Sequence, residues 1–206
     1  RLGNPTTDVL EKRLAALDGG VAAVATGSGQ AANLLAITNI AGAGDHVIAL
    51  NNIYGGTYNL INKTLRDLGI EASFVSSNDL DEARAAIQDN TKLIFGESLT
   101  NPKVDVLDIE GYARLSHEHN IPLILDNTLA TPALLRPIDF GCDIVTYSSS
   151  KYLDGHAAAM GGIIVDSGNF DWSKGDYDRL TKADESYHGL VFTEHFGKAA
   201  YAARLR

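Results

Sequence analysis

The sequence predicts an α/β fold: a mostly parallel β-sheet with helices on both faces. Three observations predict it. Apolar, β-rich runs alternate with longer segments of helical period, the order that βαβ units produce. The chain has 206 residues, 45% of them hydrophobic and 21% charged, which is enough apolar material for a substantial core. Polar residues gather just after the apolar runs, where open parallel sheets carry their ligands.

The elements follow in order. Residues 7–17 read as a helix with Val9, Leu10, Leu14 and Leu17 on one face, and Gly19 and Gly20 stop it. Residues 21–25 are strand-like and run into Thr26, Gly27, Ser28 and Gly29. Residues 31–40, rich in alanine and leucine, are helical. Residues 46–50 form a short strand, and 58–68 a helix closed by Gly69. A strand at 70–75 precedes a charged helix at 80–87. Then come a strand at 93–95, a helix at 109–119 and a strand at 122–125 that ends at Asp126. Residues 144–147 form a strand that ends at three serines, and 162–165 form one more. Crossovers between parallel strands are right-handed, so the helices cover both faces.

Composition narrows the functional classes. A net charge of -9 offers no footprint for a nucleic-acid backbone or an anionic membrane surface. No apolar run approaches the length of a membrane span. The single cysteine, Cys142, excludes an internal disulfide framework, fits a reducing compartment and reads as a buried small residue. The six histidines show no metal-ligand spacing, so no metal site is expected. The chain opens at Arg1 without a methionine or signal peptide, and residues 196–206 read as a helix cut short. The expectation is therefore a fragment, or the ordered part of a longer protein.

The strand-end residues carry the candidate chemistry. Small residues from Thr26 to Gln30, between a strand and a helix, let backbone N–H groups approach a phosphate. The same residues also suit a plain tight turn. Asp126 is either a cap for the next segment or a functional carboxylate, which needs a partner to stay charged when buried. Lys151 follows Ser148, Ser149 and Ser150 at the functional edge of the sheet. Near-burial there would lower its pKa and equip it as nucleophile or base, whereas most lysines are simply solvated. Tyr54, beside Gly55 and Gly56, either stacks on a planar ligand or packs over a turn.

Together these residues resemble the Cys/Met-metabolism family of pyridoxal 5′-phosphate (PLP) enzymes, a branch of the aspartate-aminotransferase-like fold (fold type I). The motifs occur in order over essentially the whole chain. They are Arg1 to Thr6; Ser28, Gly29 and Gln30; Tyr54, Gly55, Gly56 and Thr57; Glu97 with Asn101 and Pro102; Asp126, Asn127 and Thr128; and Ser148 to Lys151. The resemblance implies that Lys151 holds PLP as a Schiff base. Ser148, Ser150 and the backbone of Gly29 and Gln30 would bind its phosphate. Asp126 would keep the pyridinium nitrogen protonated and the ring an electron sink. Tyr54 would stack on the ring and move protons, and Asn101 would bond the ring's phenolic oxygen. Arg1 would reach the phosphate of a neighbouring subunit, which implies a homo-oligomer, a dimer or tetramer.

Gly56, the Ser-Gly-Gln turn, residues 161–172 and residues 186–194 most resemble the O-acetylhomoserine sulfhydrylase branch of this family. Methionine γ-lyases usually carry a cysteine where Gly56 stands. Ser150 replaces a usual threonine and Asp154 a usual glycine. By the same resemblance, the family's C-terminal domain, with the arginine for the substrate carboxylate, and its N-terminal segment would be expected to lie outside residues 1–206. Residues 1–206 would thus be the PLP-binding large domain. The implied activity is cytoplasmic γ-replacement on O-acetyl-L-homoserine, a small amino-acid substrate. Sulfide or a thiol would give homocysteine or methionine and acetate, in methionine biosynthesis. The alternatives are γ-elimination on methionine or cystathionine, and a non-catalytic PLP-fold fragment. A nicotinamide-binding Rossmann protein is more distant, because Ser28 and Gly29 lack the three-glycine fingerprint.

Overall fold

The computed structural model describes residues 3–206. Helix α1 (Pro5–Asp18) precedes strand β1 (Ala22–Thr26), α2 (Gly29–Thr38) and β2 (His46–Leu50). Helix α3 (Gly55–Asn59) runs on through a wider π-type turn at Leu60–Leu65 to β3 (Glu71–Val75). Helix α4 (Leu80–Ala85), β4 (Thr91–Glu97), α5 (Ile109–Glu118) and β5 (Leu123–Asp126) follow. The short α6 (Thr131–Leu134) leads to β6 (Ile144–Ser148), and β7 (Gly162–Asp166) completes the sheet. Three short helices, α7 (Asp178–Thr181), α8 (Phe192–Phe196) and α9 (Ala200–Leu205), come last.

The seven strands form one sheet in the order β1, β7, β6, β5, β4, β2, β3. From β6 to β3 every pair is parallel. Strand β7 runs antiparallel to both β6 and β1. This is the predicted α/β class, with one reversed strand near an edge. Among the described residues, no helix is long and apolar enough to cross a membrane.

The central strands are apolar throughout because both their faces are covered. Side chains alternate between two cores. Ile48, Leu50, Ile94, Leu123 and Leu125 pack with Leu14 of α1 and Tyr112 and Leu115 of α5. Val47, Ala49, Leu93, Phe95 and Ile124 pack on the other face with Ala36 and Ile37 of α2 and Tyr201 of α9. Burying one such isoleucine or leucine contributes about 1.5–3 kcal/mol, so the sheet centre fixes the register.

Helix α1 corrects one expectation. Asn4 caps it by accepting from the Thr6 and Thr7 amides at 2.9 and 3.4 Å, and Gly19 ends it at φ 78°. Its buried residues, however, are Glu11, Leu14, Ala15 and Asp18. Val9, Leu10 and Leu17 are 67%, 41% and 49% exposed, so of the predicted apolar face only Leu14 is buried. The polar residues are admitted because they find partners. Glu11 accepts the Ala25 amide at 2.8 Å and pairs with Arg206, and Asp18 accepts the Tyr147 hydroxyl at 2.7 Å. Apolar count alone does not reveal such pairing. The last predicted helix is also shorter: α9 begins only at Ala200, after a turn.

Candidate active site

Strand direction gathers the site. The parallel strands β4, β5 and β6 end together, and Glu97 lies opposite Asp126, and Asp126 opposite Thr146. Strand β7 starts at the same rim and couples it to β1: Gly162 pairs with Thr26 on one side and Ser148 on the other. Thus Ser28 and Gly29, at the end of β1, come beside Ser148. The approach is close: a Cβ on Gly29 would fall 2.6 Å from the Ser148 Cβ. A side chain at Gly162 would collide with the Ser28 carbonyl. Glycine here is a requirement of packing.

A cavity of about 870 Å³ opens at this rim. Gly29, Gln30, Tyr54, Asn101, Asp126, Ser148, Ser150 and Lys151 all line it. Every sequence-predicted site residue except Arg1 is therefore brought to one place. Arg1 lies outside the described residues.

One side of the cavity is an anion cradle. The first intrahelical bond of α2 runs from the Ala32 amide to the Ser28 carbonyl, 2.9 Å, and the Ala31 amide goes to the Ser28 hydroxyl, 3.1 Å. The Gly29 and Gln30 amides precede both and have no intrahelical acceptor, the usual state of a helix start and the basis of anion binding there. The Ser148 hydroxyl lies beside them, about 3.1 Å from where a Gly29 Cβ would be. The Ser150 hydroxyl is more committed: it accepts the Gly161 amide at 3.0 Å.

Asp126 sits at the floor. Its Oδ1 accepts from the Thr128 amide (3.0 Å) and the Thr128 hydroxyl (2.5 Å), and its Oδ2 from Asn33 Nδ2 (3.1 Å). The capping alternative raised by the sequence does not hold, since the N-cap of α6 is Ala130; the carboxylate instead organises its own turn while lining the cavity. Burial raises its pKa; the bonds from Thr128 and Asn33 oppose the shift without cancelling it. Among the described residues no cation offsets that burial within hydrogen-bond reach, so the site favours a positively charged donor at this point. A protonated ring nitrogen meets that demand. A phosphate meets the demand of the helix start. The donor set therefore fits pyridoxal phosphate.

Asn33 was invisible to the sequence argument, although a polar residue within an alanine- and leucine-rich helix is a signal in principle. It is buried, donates to Asp126 and to Thr57 Oγ1 (3.3 Å), and accepts from the Thr146 hydroxyl (2.6 Å). Gln30 Nε2 donates to the same Thr57 oxygen at 3.0 Å. One hydrogen-bonded layer thus lies under the turn at residues 28–30 and the Asp126 carboxylate together.

The other side is open. Tyr54 is 51% exposed, and its ring folds back over the start of α3, where a Cβ on Gly56 would meet Tyr54 Cε1 at 2.5 Å. Asn101 is exposed as well. So is Lys151, which corrects the expectation that near-burial would tune it. The reason is local: the chain leaves helical geometry at Lys151 (φ -98°, ψ -122°), and the following residues, Tyr152 and 155–160, are exposed too. Within that stretch Asp154 Oδ2 accepts the Ala158 amide at 2.8 Å, and His156 Nδ1 lies 3.0 Å from the Asp154 carbonyl.

The family model described as "Cys/Met metabolism PLP-dependent enzyme" matches residues 1–186. An O-acetyl-L-homoserine sulfhydrylase from Leptospira meyeri is 50% identical over 198 residues, 96% of this chain and 45% of the relative. A Campylobacter jejuni protein described as an O-acetylhomoserine (thiol)-lyase was solved with a pyridoxyl-lysine phosphate group. It superposes with a TM-score of 0.95 at 40% identity, over 99% of this chain and 51% of its own. A cystathionine γ-lyase from Lactobacillus plantarum, solved with L-serine, gives a TM-score of 0.77 at 40% identity, over 80% of this chain and 43% of its own. The chain thus spans about half the length of the relatives it matches.

Proposed function

This chain belongs to the Cys/Met metabolism PLP-dependent enzyme family, and on that premise we propose that its cavity binds pyridoxal 5′-phosphate. The proposed activity of the protein is γ-replacement on O-acetyl-L-homoserine: sulfide or a thiol takes the place of acetate, giving homocysteine or methionine. One observation carries the reading. Eight residues drawn from five separate stretches of sequence, each with a PLP-binding role in the resemblance, line a single cavity.

The roles follow from the chemistry of each group. The Gly29 and Gln30 amides and the Ser148 hydroxyl hold the phosphate, with Ser150 fixed beside them. Asp126 holds a proton at the ring nitrogen; the attraction offsets the burial that raises its own pKa. Tyr54 covers a ring face, and Asn101 orients the ring's phenolic oxygen. Lys151 carries the amine that holds the cofactor's aldehyde and afterwards moves the proton at the substrate's Cα. When bound, pyridoxal phosphate supplies an electron sink that stabilises negative charge at that carbon. Residues 1–206 act as the cofactor-binding large domain. Arg1 reaching a neighbour's phosphate, a dimeric or tetrameric assembly and a cytoplasmic site belong to the same proposal. Burial pushes the Cys142 thiol well up, which makes it a poor nucleophile.

The test is spectroscopic and then chemical. Holo-protein should show a visible absorption band that borohydride bleaches, and Lys151→Ala should abolish the band and lower turnover by at least about a thousandfold. A holo-protein without such a band overturns the reading. The cystathionine γ-lyase likeness favours a second reading, γ-elimination. It is the weaker one, because at equal identity that structure matches less of the chain at a lower TM-score. Release of 2-oxobutanoate and ammonia in the absence of sulfide would establish it.

A further inference from the structure

Glu97 is the last residue of β4, only 5% exposed, and it lies opposite Asp126 in the sheet. Its two oxygens go to two different loops. Oε1 accepts the Tyr54 amide at 2.7 Å, and Oε2 accepts the Asn101 amide at 3.0 Å. Tyr54 follows β2 and Asn101 follows β4; those strands pair, but their ladder ends at Ala49 and Phe95, short of both residues. Both residues expose their side chains to the cavity, and both are anchored through the main chain to the same buried group.

We propose that Glu97 is a positioning residue, a carboxylate clamp that fixes the backbone at Tyr54 to the backbone at Asn101. The ring meant for the cofactor's face and the amide meant for its edge then move as one unit. The inference rests on the PLP reading above and adds to it the part that sets this geometry. Only a carboxylate can serve. Two N–H donors converge on two oxygens, and a glutamine would turn its NH₂ group toward one of them. A role in packing alone would not require this, since an apolar side chain of the same size could fill the space. The cost of the arrangement is visible: burial first, and Asp126 in smaller measure, push the Glu97 carboxyl up to about 7, while the two amides pull it down.

Glu97→Gln in the full-length protein tests the clamp. The visible band should persist at saturating cofactor while kcat falls about ten- to a hundredfold with little change in KM, as when a positioned group drifts by a fraction of an ångström. In the cofactor-free protein, amide exchange should accelerate at Tyr54 and Asn101 and stay unchanged in β5 and β6. Unaltered kcat, or unaltered exchange at both amides, overturns the proposal. Should the variant fail to fold, the unsubstituted protein still decides: the Tyr54 amide must be protected despite the exposed side chain, and fast exchange there sinks the clamp. Absence of a cofactor band in the unsubstituted protein would count against the PLP reading, whereas the exchange measurement would still judge the clamp.

Discussion

The two sides of the cavity are built differently. The floor consists of strand ends and a helix start, and its polar groups are bonded before any ligand arrives: Asp126 to Thr128 and Asn33, Asn33 to Thr57 and Thr146, Ser148 N–H to Thr128 at 2.8 Å. The wall consists of Tyr54, Asn101, Lys151 and residues 155–160, all exposed. The lesson is a division of labour. In the proposed reading, recognition of phosphate and ring nitrogen is preorganised in the sheet, where displacement is expensive. The groups that would move protons stand on segments whose placement depends on a few hydrogen bonds.

This contrast can be broken by substitution. The largest effect at the floor is expected from Asp126→Asn, which keeps the shape and removes the charge proposed to face the ring nitrogen. Turnover should fall by at least about a hundredfold while cofactor is still bound, as steady-state rates and absorbance together would show. At the wall, Asp154→Gly removes the acceptor of the Ala158 amide. That should raise KM modestly and leave kcat and the absorption band unchanged. A fall in kcat as large as that of Asp126→Asn would erase the distinction between the two sides.

The smallest expected effect is on stability and lies beneath the floor. Asp18 is fully buried, with Oδ2 unpaired, and burial raises it from the ordinary 3.8 to about 6. The unfolded chain loses this proton near 3.8 and the folded chain only near 6, so between these values the folded state binds more protons and stability falls as pH rises. Above 6 the cost stays constant. Asp18→Asn keeps an acceptor for Tyr147 and should flatten that decline in a series of Tm measurements across pH. An unchanged slope would show that Asp18 is paired in solution.

The floor was also the more legible half. Strand β2 was predicted residue for residue, because Val47, Ile48, Ala49 and Leu50 are wholly buried and only a covered strand tolerates such a run. The strand ends then named Gly29, Asp126 and Ser148 through topology alone, as they did Asn101 and Lys151 of the wall, but not Tyr54. What failed was whatever depends on a partner distant in sequence. The buried face of α1 is set by Ala25, Tyr147 and Arg206, none of them visible from its own pattern. The reversal of β7 is not written in its apolar run. The exposure of Lys151 depends on how the next residues turn, and its lysine-after-serines motif is silent on that. The resemblance brought the cofactor residues together, but the role of Glu97 needed the two amides to be seen converging.

The pairing of β1 has a consequence for synthesis. Its partner in the sheet is β7, so Ala22 waits for Asp166 before it can hydrogen-bond. On the ribosome β1 is made well before β7 yet is placed in the sheet only with it, and until then β6 also presents a bare edge. A nascent chain stalled before residue 162 would offer two such edges to other chains, a route to aggregation that a helper protein holding them apart would close.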